Sequence, residues 1–408
     1  SIIHAIESLF DTYPILSARV RENDKKLYFS FDGKREIAIK EKEEIDNFVY
    51  PFELDKSLSR FLISNDGRFL CFDCHHLIFD GSSLNNIIKS LMNLLNGKKL
   101  NFVDDGVLRQ TSFEENISHK YMEDGERFFE TILNDRDEVY ELLASVKYPY
   151  ENNIEKEENY EFNLKLNADK DSLRKFLQNH SITHNQFFTS VFAYTLSRFS
   201  GSSKVLFNLI EDGRGYLDIS DSVGMFVRTL PLIIDCKNQS IRSFMEYSAN
   251  IVHNAMKYDL YPFRSLANKY DLNSDIYFQY AHDIFKNINN NNSEFKINEM
   301  RHDVVGDMIF YIYDLDNDSF GLKVSYSKKY STEFISKFVE SFTMISKEMI
   351  NAECLSEINY INQNDLKLLD TYNKTEHELE YDDILCAFNE NLKKDLDKEL
   401  AVFNNKTY

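Results

Sequence analysis

Within this chain of 408 residues, one short segment gathers the groups that acyl or proton transfer needs: His75-His76-Leu77-Ile78-Phe79-Asp80-Gly81. An imidazole titrates near neutral pH, so a histidine here can take a proton from an attacking nucleophile. The Asp80 carboxylate can either orient a histidine, as in a catalytic triad, or hold a buried cation. Just beyond, Ser82 and Ser83 are N-cap candidates for a helix. Its first N–H groups would face the segment and make Gly81 and its neighbours donors to a developing oxyanion.

The flanking sequence says how this segment is held. Residues 68–74 read as a strand entered through the turn Asn65-Asp66-Gly67. Leu84, Ile87, Ile88, Leu91, Leu94 and Leu95 recur at helical spacing until Asn96-Gly97 stops them. The histidines are therefore expected at a strand end facing a helix N-terminus. Neighbouring strand residues point to opposite faces, so only one of the pair is expected to face a substrate, with the other structural. A competing motif overlaps the strand: Cys71-Phe72-Asp73-Cys74-His75 matches a haem-attachment string, and Cys-x-x-Cys suits zinc or redox chemistry. Strand residues three apart point their sulfurs away from each other, so no metal or haem is expected.

Elsewhere, 1–10 and 113–134 read as helices, and 16–20 and 26–31 as strands. Residues 146–160 lose periodicity and gather charge, marking a lobe boundary. The second half opens with a strand at 160–166 and a helix from Asp171. A longer helix after Thr183 is apolar on several sides, and strands follow at 205–210 and 224–234. A low-complexity loop at 286–293 precedes paired strands, 308–313 and 321–326, joined across 316–319, and a helix at 331–350. The last residues differ in kind: a polar connector, a short helix at 384–392 and the start of a strand at 401–403.

Composition narrows the class. The 33 Phe and 24 Tyr mark a folded, globular chain, and 408 residues suit two domains of ordinary size. A formal charge of −20, from 47 basic against 67 acidic residues, disfavours nucleic acid as a partner. No apolar run approaches the about 20 residues that span a bilayer. Five cysteines, an odd number, read as reduced thiols in a cytoplasmic protein. Ser1 lies already inside an apolar-periodic stretch, as in a piece cut from something longer.

Several segments, in order, resemble the condensation domains of nonribosomal peptide synthetases, within the wider chloramphenicol-acetyltransferase-like superfamily. Tyr13-Pro14-Ile15-Leu16-Ser17-Ala18-Arg19-Val20 is similar to that family's "His-Pro-x-Leu-Arg-Thr-Arg-Phe" segment. Pro51-Phe52-Glu53-Leu54 and the His-His-x-x-x-Asp-Gly signature at 75–81 follow. Gly224-Met225-Phe226-Val227-Arg228-Thr229-Leu230-Pro231-Leu232 resembles "Gly-Met-Phe-Val-Asn-Thr-Leu-Pro-Leu", and 258–263 resembles the "Gln-Asp-x-Pro-Phe" segment. Tyr372-Asn373-Lys374-Thr375 is similar to a linker that follows these domains, and 384–408 looks like the opening of an adenylation domain.

The resemblance implies an α+β fold: two acetyltransferase-like lobes in a V around a central tunnel. The expected boundaries are 1–158 for the first lobe, lacking the family's initial strand, 159–360 for the second, and 361–408 for the linker and adenylation start. It implies amide bond formation between a donor acyl or peptidyl thioester and the amine of an acceptor aminoacyl thioester. Both are tethered to carrier proteins by phosphopantetheine arms, with no cofactor or metal bound to the domain itself. Expected partners are donor and acceptor peptidyl carrier proteins and an adjoining adenylation domain, not nucleic acid or membrane. The catalytic residues would be His76, as general base or as orienter of the amine, and Gly81. His75, Asp80 and Arg19 would support the site, with Arg19 or Arg214 as the arginine partner of Asp80. Arg214, Gly224, Met225 and Arg228 would lie toward the acceptor side of the tunnel, where Arg228 replaces the family's Asn. The alternatives are a related O-acyltransferase and a non-catalytic module that docks carrier proteins.

Overall fold

The structure, a computed structural model, describes residues 1–134, 160–166, 170–272, 275–282, 306–315, 320–327, 329–376, 381, 383–394, 402–404 and 406–407. The lobe boundary expected within 146–160, the loop 286–293 and the turn 316–319 lie outside the described residues. Contacts within the chain gather Ser1–Tyr360 into one unit and Ile361–Tyr408 into another.

The first part of the larger unit surrounds a three-stranded sheet. Strands β3 (Glu36–Lys40) and β4 (Ser59–Ser64) run parallel, and β5 (Leu70–Cys74) pairs antiparallel with β4. Every residue of β4 is buried, as a central strand covered on both faces requires. Helix α1 (Ile2–Thr12) turns Ile6, Leu9 and Phe10 into this core, where they join Ile87 of α2 (Gly81–Leu95). Residues 14–17, partly expected as strand, form a 3-10 turn instead, because Pro14 fixes φ at its first position. The strand begins later, as β1 (Arg19–Asn23), paired with β2 (Lys26–Ser30). The expected helix at 113–134 is two: α3 (Gly106–Glu115) and α4 (His119–Leu133), the second capped by Ser118.

The second part is built on six strands in the order β6-β11-β10-β9-β7-β8. These are β6 (Tyr160–Leu166), β7 (Lys204–Glu211), β8 (Arg228–Asp235), β9 (Ile276–His282), β10 (Met308–Asp314) and β11 (Phe320–Tyr326). The β7, β9 and β10 strands are mutually parallel, and the outer pairings are antiparallel. Helices α5 (Lys170–His180), α6 (His184–Ser200), α7 (Ile241–Lys257), α8 (Phe263–Tyr270) and α9 (Thr332–Glu348) accompany it. The α6 helix starts in a Thr183/Gln186 capping box and is buried along most of its length, as its apolar sequence implies. Its Phe192 meets the rings of Phe207, Phe278, Phe310 and Phe338 at centroid distances of 4.9–5.9 Å.

The smaller unit contains α10 (Gln363–Asn373), capped by Asn362, α11 (Ile384–Lys394) and the short β12 (Val402–Phe403) and β13 (Lys406–Thr407) pair.

The loop from β7 to β8 leaves the second core and enters the first: Val223 is fully buried among Ile6, Leu9, Phe61 and Ile87. Gly213 makes this path possible. Its φ is +70°, and a Cβ there would lie 1.9 Å from the Phe226 carbonyl oxygen. We predict that Gly213→Ala lowers unfolding free energy by at least about 2 kcal/mol in denaturant titrations, because strain and backbone overlap add.

Candidate functional site

The β5 strand stops at Cys74, and the histidines lie on the turn after it. His75 is the N-cap of a 3-10 turn, His76–Ile78. Turn geometry therefore aims the two rings, where strand alternation was expected. The His75 Nδ1 accepts the Leu77 N–H at 3.0 Å, and its ring meets Phe52 edge-to-face. His76 is exposed, and its Nδ1 lies 2.6 Å from the Phe79 carbonyl oxygen. A carbonyl only accepts, so Nδ1 carries the hydrogen, and in the neutral ring Nε2 holds the lone pair. That is the arrangement of a proton acceptor with its tautomer fixed by backbone.

Asp80 makes no triad. It is the N-cap of α2 in place of Ser82 or Ser83, and both of its oxygens are occupied. Oδ1 accepts the Ser83 N–H at 2.8 Å, lies 2.7 Å from Ser83 Oγ and accepts from Arg214 Nη2 at 2.8 Å. Oδ2 accepts from Arg214 Nη1 at 3.0 Å and from the Phe226 N–H at 2.9 Å. The Ser83 N–H is thus taken by the cap, and Gly81 and Ser82 precede it in the first turn.

Of the two candidate arginines, Arg214 is the partner of Asp80. Arg19 is turned to the β1–β2 hairpin, where its Nε donates to Asp32 Oδ1 at 2.7 Å and holds that carboxyl well below the usual carboxylate range. Arg19 is therefore removed from the Asp80 support. Arg214, grouped by sequence with the acceptor side, has a side chain only 5 % exposed and lies over the Phe226 ring at 4.6 Å. It also binds Asp212, whose carboxylate accepts from Ser82 Oγ at 2.8 Å.

The 220–228 segment is sewn to α2 and α3. The Gly224 N–H donates to Ser83 Oγ at 3.0 Å, and Asn86 Nδ2 donates to the Ser220 and Ser222 carbonyls. Met225 is exposed. Arg228 is bonded to the Glu114 carboxylate of α3, so it joins the two halves of the unit instead of facing solvent.

Sequence reasoning missed a recessed polar group beside this segment. Glu211, at the end of β7, accepts from Asn185 Nδ2 at 2.7 Å. Burial, reinforced by Asp259 and Asp212, pushes its carboxyl from near 4.5 up to about 7, against the opposing effect of Asn185. Burial likewise raises Asp259 and the Tyr216 hydroxyl, which donates to the Met256 and Lys257 carbonyls. The available signal was an acid placed directly before Asp212-Gly213-Arg214 at the end of an apolar strand. The Cys71 and Cys74 side chains belong to different apolar clusters, Cys71 with Phe48 and Leu62, and Cys74 against the main core of the first part.

A mixed fold built on a three-stranded and a six-stranded sheet, with a histidine turn tied to the β7–β8 loop by a buried Asp–Arg pair, defines the class. The condensation-domain family profile matches residues 3–369. The chain belongs to the condensation-domain family. Gramicidin S synthase 2 of Aneurinibacillus migulanus is 23% identical over 420 residues, covering 93% of this chain, which spans 9% of that relative's length. Among solved structures, the four-domain nonribosomal peptide synthetase AB3403 superposes with a TM-score of 0.72 at 14% identity, covering 100% of this chain and 34% of its own. The condensation domain from the monacolin K polyketide synthase MokA gives a TM-score of 0.66 at 16% identity, covering 87% of this chain and 90% of its own. These likenesses establish the acetyltransferase-like two-lobed fold. Among the described residues, no helix is long and apolar enough to cross a membrane.

Two predictions follow from the electrostatics of the site. Asp80→Ala takes both Asp80 bonds from the buried Arg214 guanidinium, leaving it only the exposed Asp212 carboxylate, and is expected to cost about 3–5 kcal/mol, read by chemical denaturation. Adding Arg214→Met removes the stranded charge and recovers part of that loss. For Glu211, a raised pKa in the folded chain favours folding while the carboxyl is protonated. That benefit is complete below about pH 4.5 and disappears as pH rises through about 7. The native chain is therefore expected to lose stability relative to Glu211→Gln across this window, on the order of 2 kcal/mol. Denaturant titrations at pH 5, 6, 7 and 8 measure it.

Proposed function

We propose that this chain forms amide bonds between carrier-bound acyl groups. The amine of an acceptor aminoacyl thioester attacks the carbonyl carbon of a donor acyl or peptidyl thioester. A C–N bond forms, the C–S bond breaks, and the proton lost by the amine ends on the departing thiol. The acyl group arrives activated, so the site needs positioning, a proton acceptor and oxyanion donors. The observation that carries the reading is His76, whose Nδ1–H is held by the Phe79 carbonyl so that Nε2 presents a lone pair. His76 takes the amine proton or orients the amine, and Gly81 with the first turn of α2 supplies N–H groups toward the oxyanion. His75 and Asp80 hold the loop, and Gly224, Met225 and Arg228 lie on the acceptor side.

In this reading the partners are donor and acceptor peptidyl carrier proteins, whose phosphopantetheine arms carry the substrates, in a cytoplasmic synthetase. Residues 361–408 connect to an adenylation domain.

The test loads donor and acceptor carrier proteins and follows peptidyl-thioester formation by intact-protein mass spectrometry. The native chain is expected to form dipeptide, and His76→Ala to lower the rate by roughly 100- to 10,000-fold. A native chain that binds both carriers without forming product would overturn the catalytic reading in favour of a docking module.

A further inference from the structure

Arg60 is a charged residue, the second of a wholly buried strand, and only 3% exposed. Its Nε donates to Asp73 Oδ2 at 2.9 Å, and its Nη2 binds the same carboxylate and the Tyr50 carbonyl. Phe48, Tyr50 and Phe52, at alternate positions of one segment, close around the guanidinium. The cation's central carbon lies 5.7, 3.4 and 4.1 Å from their ring centroids. A buried ion pair of this kind is often no more stabilising than an apolar replacement.

That geometry converges on His75. Asp73 is two residues before it on β5, opposite Arg60 in the β4–β5 register. Phe52, at the far end of the aromatic strap, meets the His75 ring edge-to-face at 5.9 Å and an interplanar angle of 74°. The His75 N–H is bonded to the Leu58 carbonyl at 2.9 Å, two residues before Arg60. His75 then caps the turn whose first residue is His76. One planar cation therefore touches both the strand and the ring that flank the start of the histidine turn.

We propose that Arg60 and Phe52 are positioning residues for the transfer reaction, setting the His75 ring and through it the orientation and tautomer of His76. The proposal rests on the catalytic reading of His76. The guanidinium is required for its shape as well as its charge. Lysine can keep an ion pair with Asp73 but offers no flat face to lie against Phe52.

The experiment compares the native chain with Arg60→Lys, Phe52→Leu and the double variant. Phe52→Leu leaves the buried Arg60–Asp73 pair in place, so it tests the coupling even where Arg60→Lys fails to fold. Amide formation is measured for kcat and KM, and the His76 ring nitrogens are read by long-range proton–nitrogen NMR. Each single variant is expected to lower kcat roughly 10- to 100-fold with KM little changed, the effect of a small misplacement of a catalytic group. The double variant is expected to be no slower than the slower single. The native chain should show one His76 tautomer, protonated at Nδ1, and each variant a mixture. Single variants with native kcat and a single native tautomer, or losses that multiply in the double variant, would overturn the proposal. A native chain that makes no amide product would instead overturn the catalytic reading, and the NMR comparison would still decide the role of Arg60.

Discussion

The Asp80–Arg214 pair joins segments 134 residues apart, and much of the site's geometry depends on it. A carboxylate that caps α2, accepts two guanidinium bonds and takes the Phe226 N–H fixes three elements at once. It sets where α2 begins, how the β7–β8 loop lies, and where the segment before β8 sits against α3. Because both oxygens are engaged, the carboxylate has none left to serve as a proton relay for His76. The aspartate of the signature is an architectural group, and in the proposed reaction the chemistry falls to His76, on the turn before it.

The histidine turn is oriented by backbone and by rings. A carbonyl three residues on fixes the protonated nitrogen of His76. Around it, Phe79, Phe72, Phe61 and Phe10 form a chain of aromatic contacts back to α1. On the other side, the aromatic strap over Arg60 closes against His75. The loop carries few long polar side chains that could compete for its geometry. Its geometry is held by packing, which suits the proposed reaction, whose acyl group arrives activated and whose main requirement is placement.

What could be read from sequence was what is local. The strand into the histidines, the helix after them, the start of α6 after Thr183 and the β10–β11 pairing all follow from periodicity and turn residues within short windows. The cap of α2 was displaced because Asp, Ser and Ser stand within four positions and all are competent caps. Only the distant Arg214 and Phe226 N–H select Asp80. Arg19 and Arg214 were equally plausible partners by residue type. The choice is made by Asp32, which lies beside Arg19 at the end of its hairpin and captures it. Glu211 was marked locally only by its place at the end of an apolar strand, and the rise of its carboxyl reflects burial by elements far away in sequence.

The placement of Val223 in the first core also has a consequence in time. Residues 1–100 supply nearly all of the apolar side chains around it, yet the core lacks one of its members until a residue more than 120 positions later has been made. At ordinary rates of translation, the delay is on the order of ten seconds. Throughout it, the nascent first lobe carries an open apolar socket at its centre and an Asp80 carboxylate without its counter-ion. The first half therefore cannot complete its core before the second half has been made.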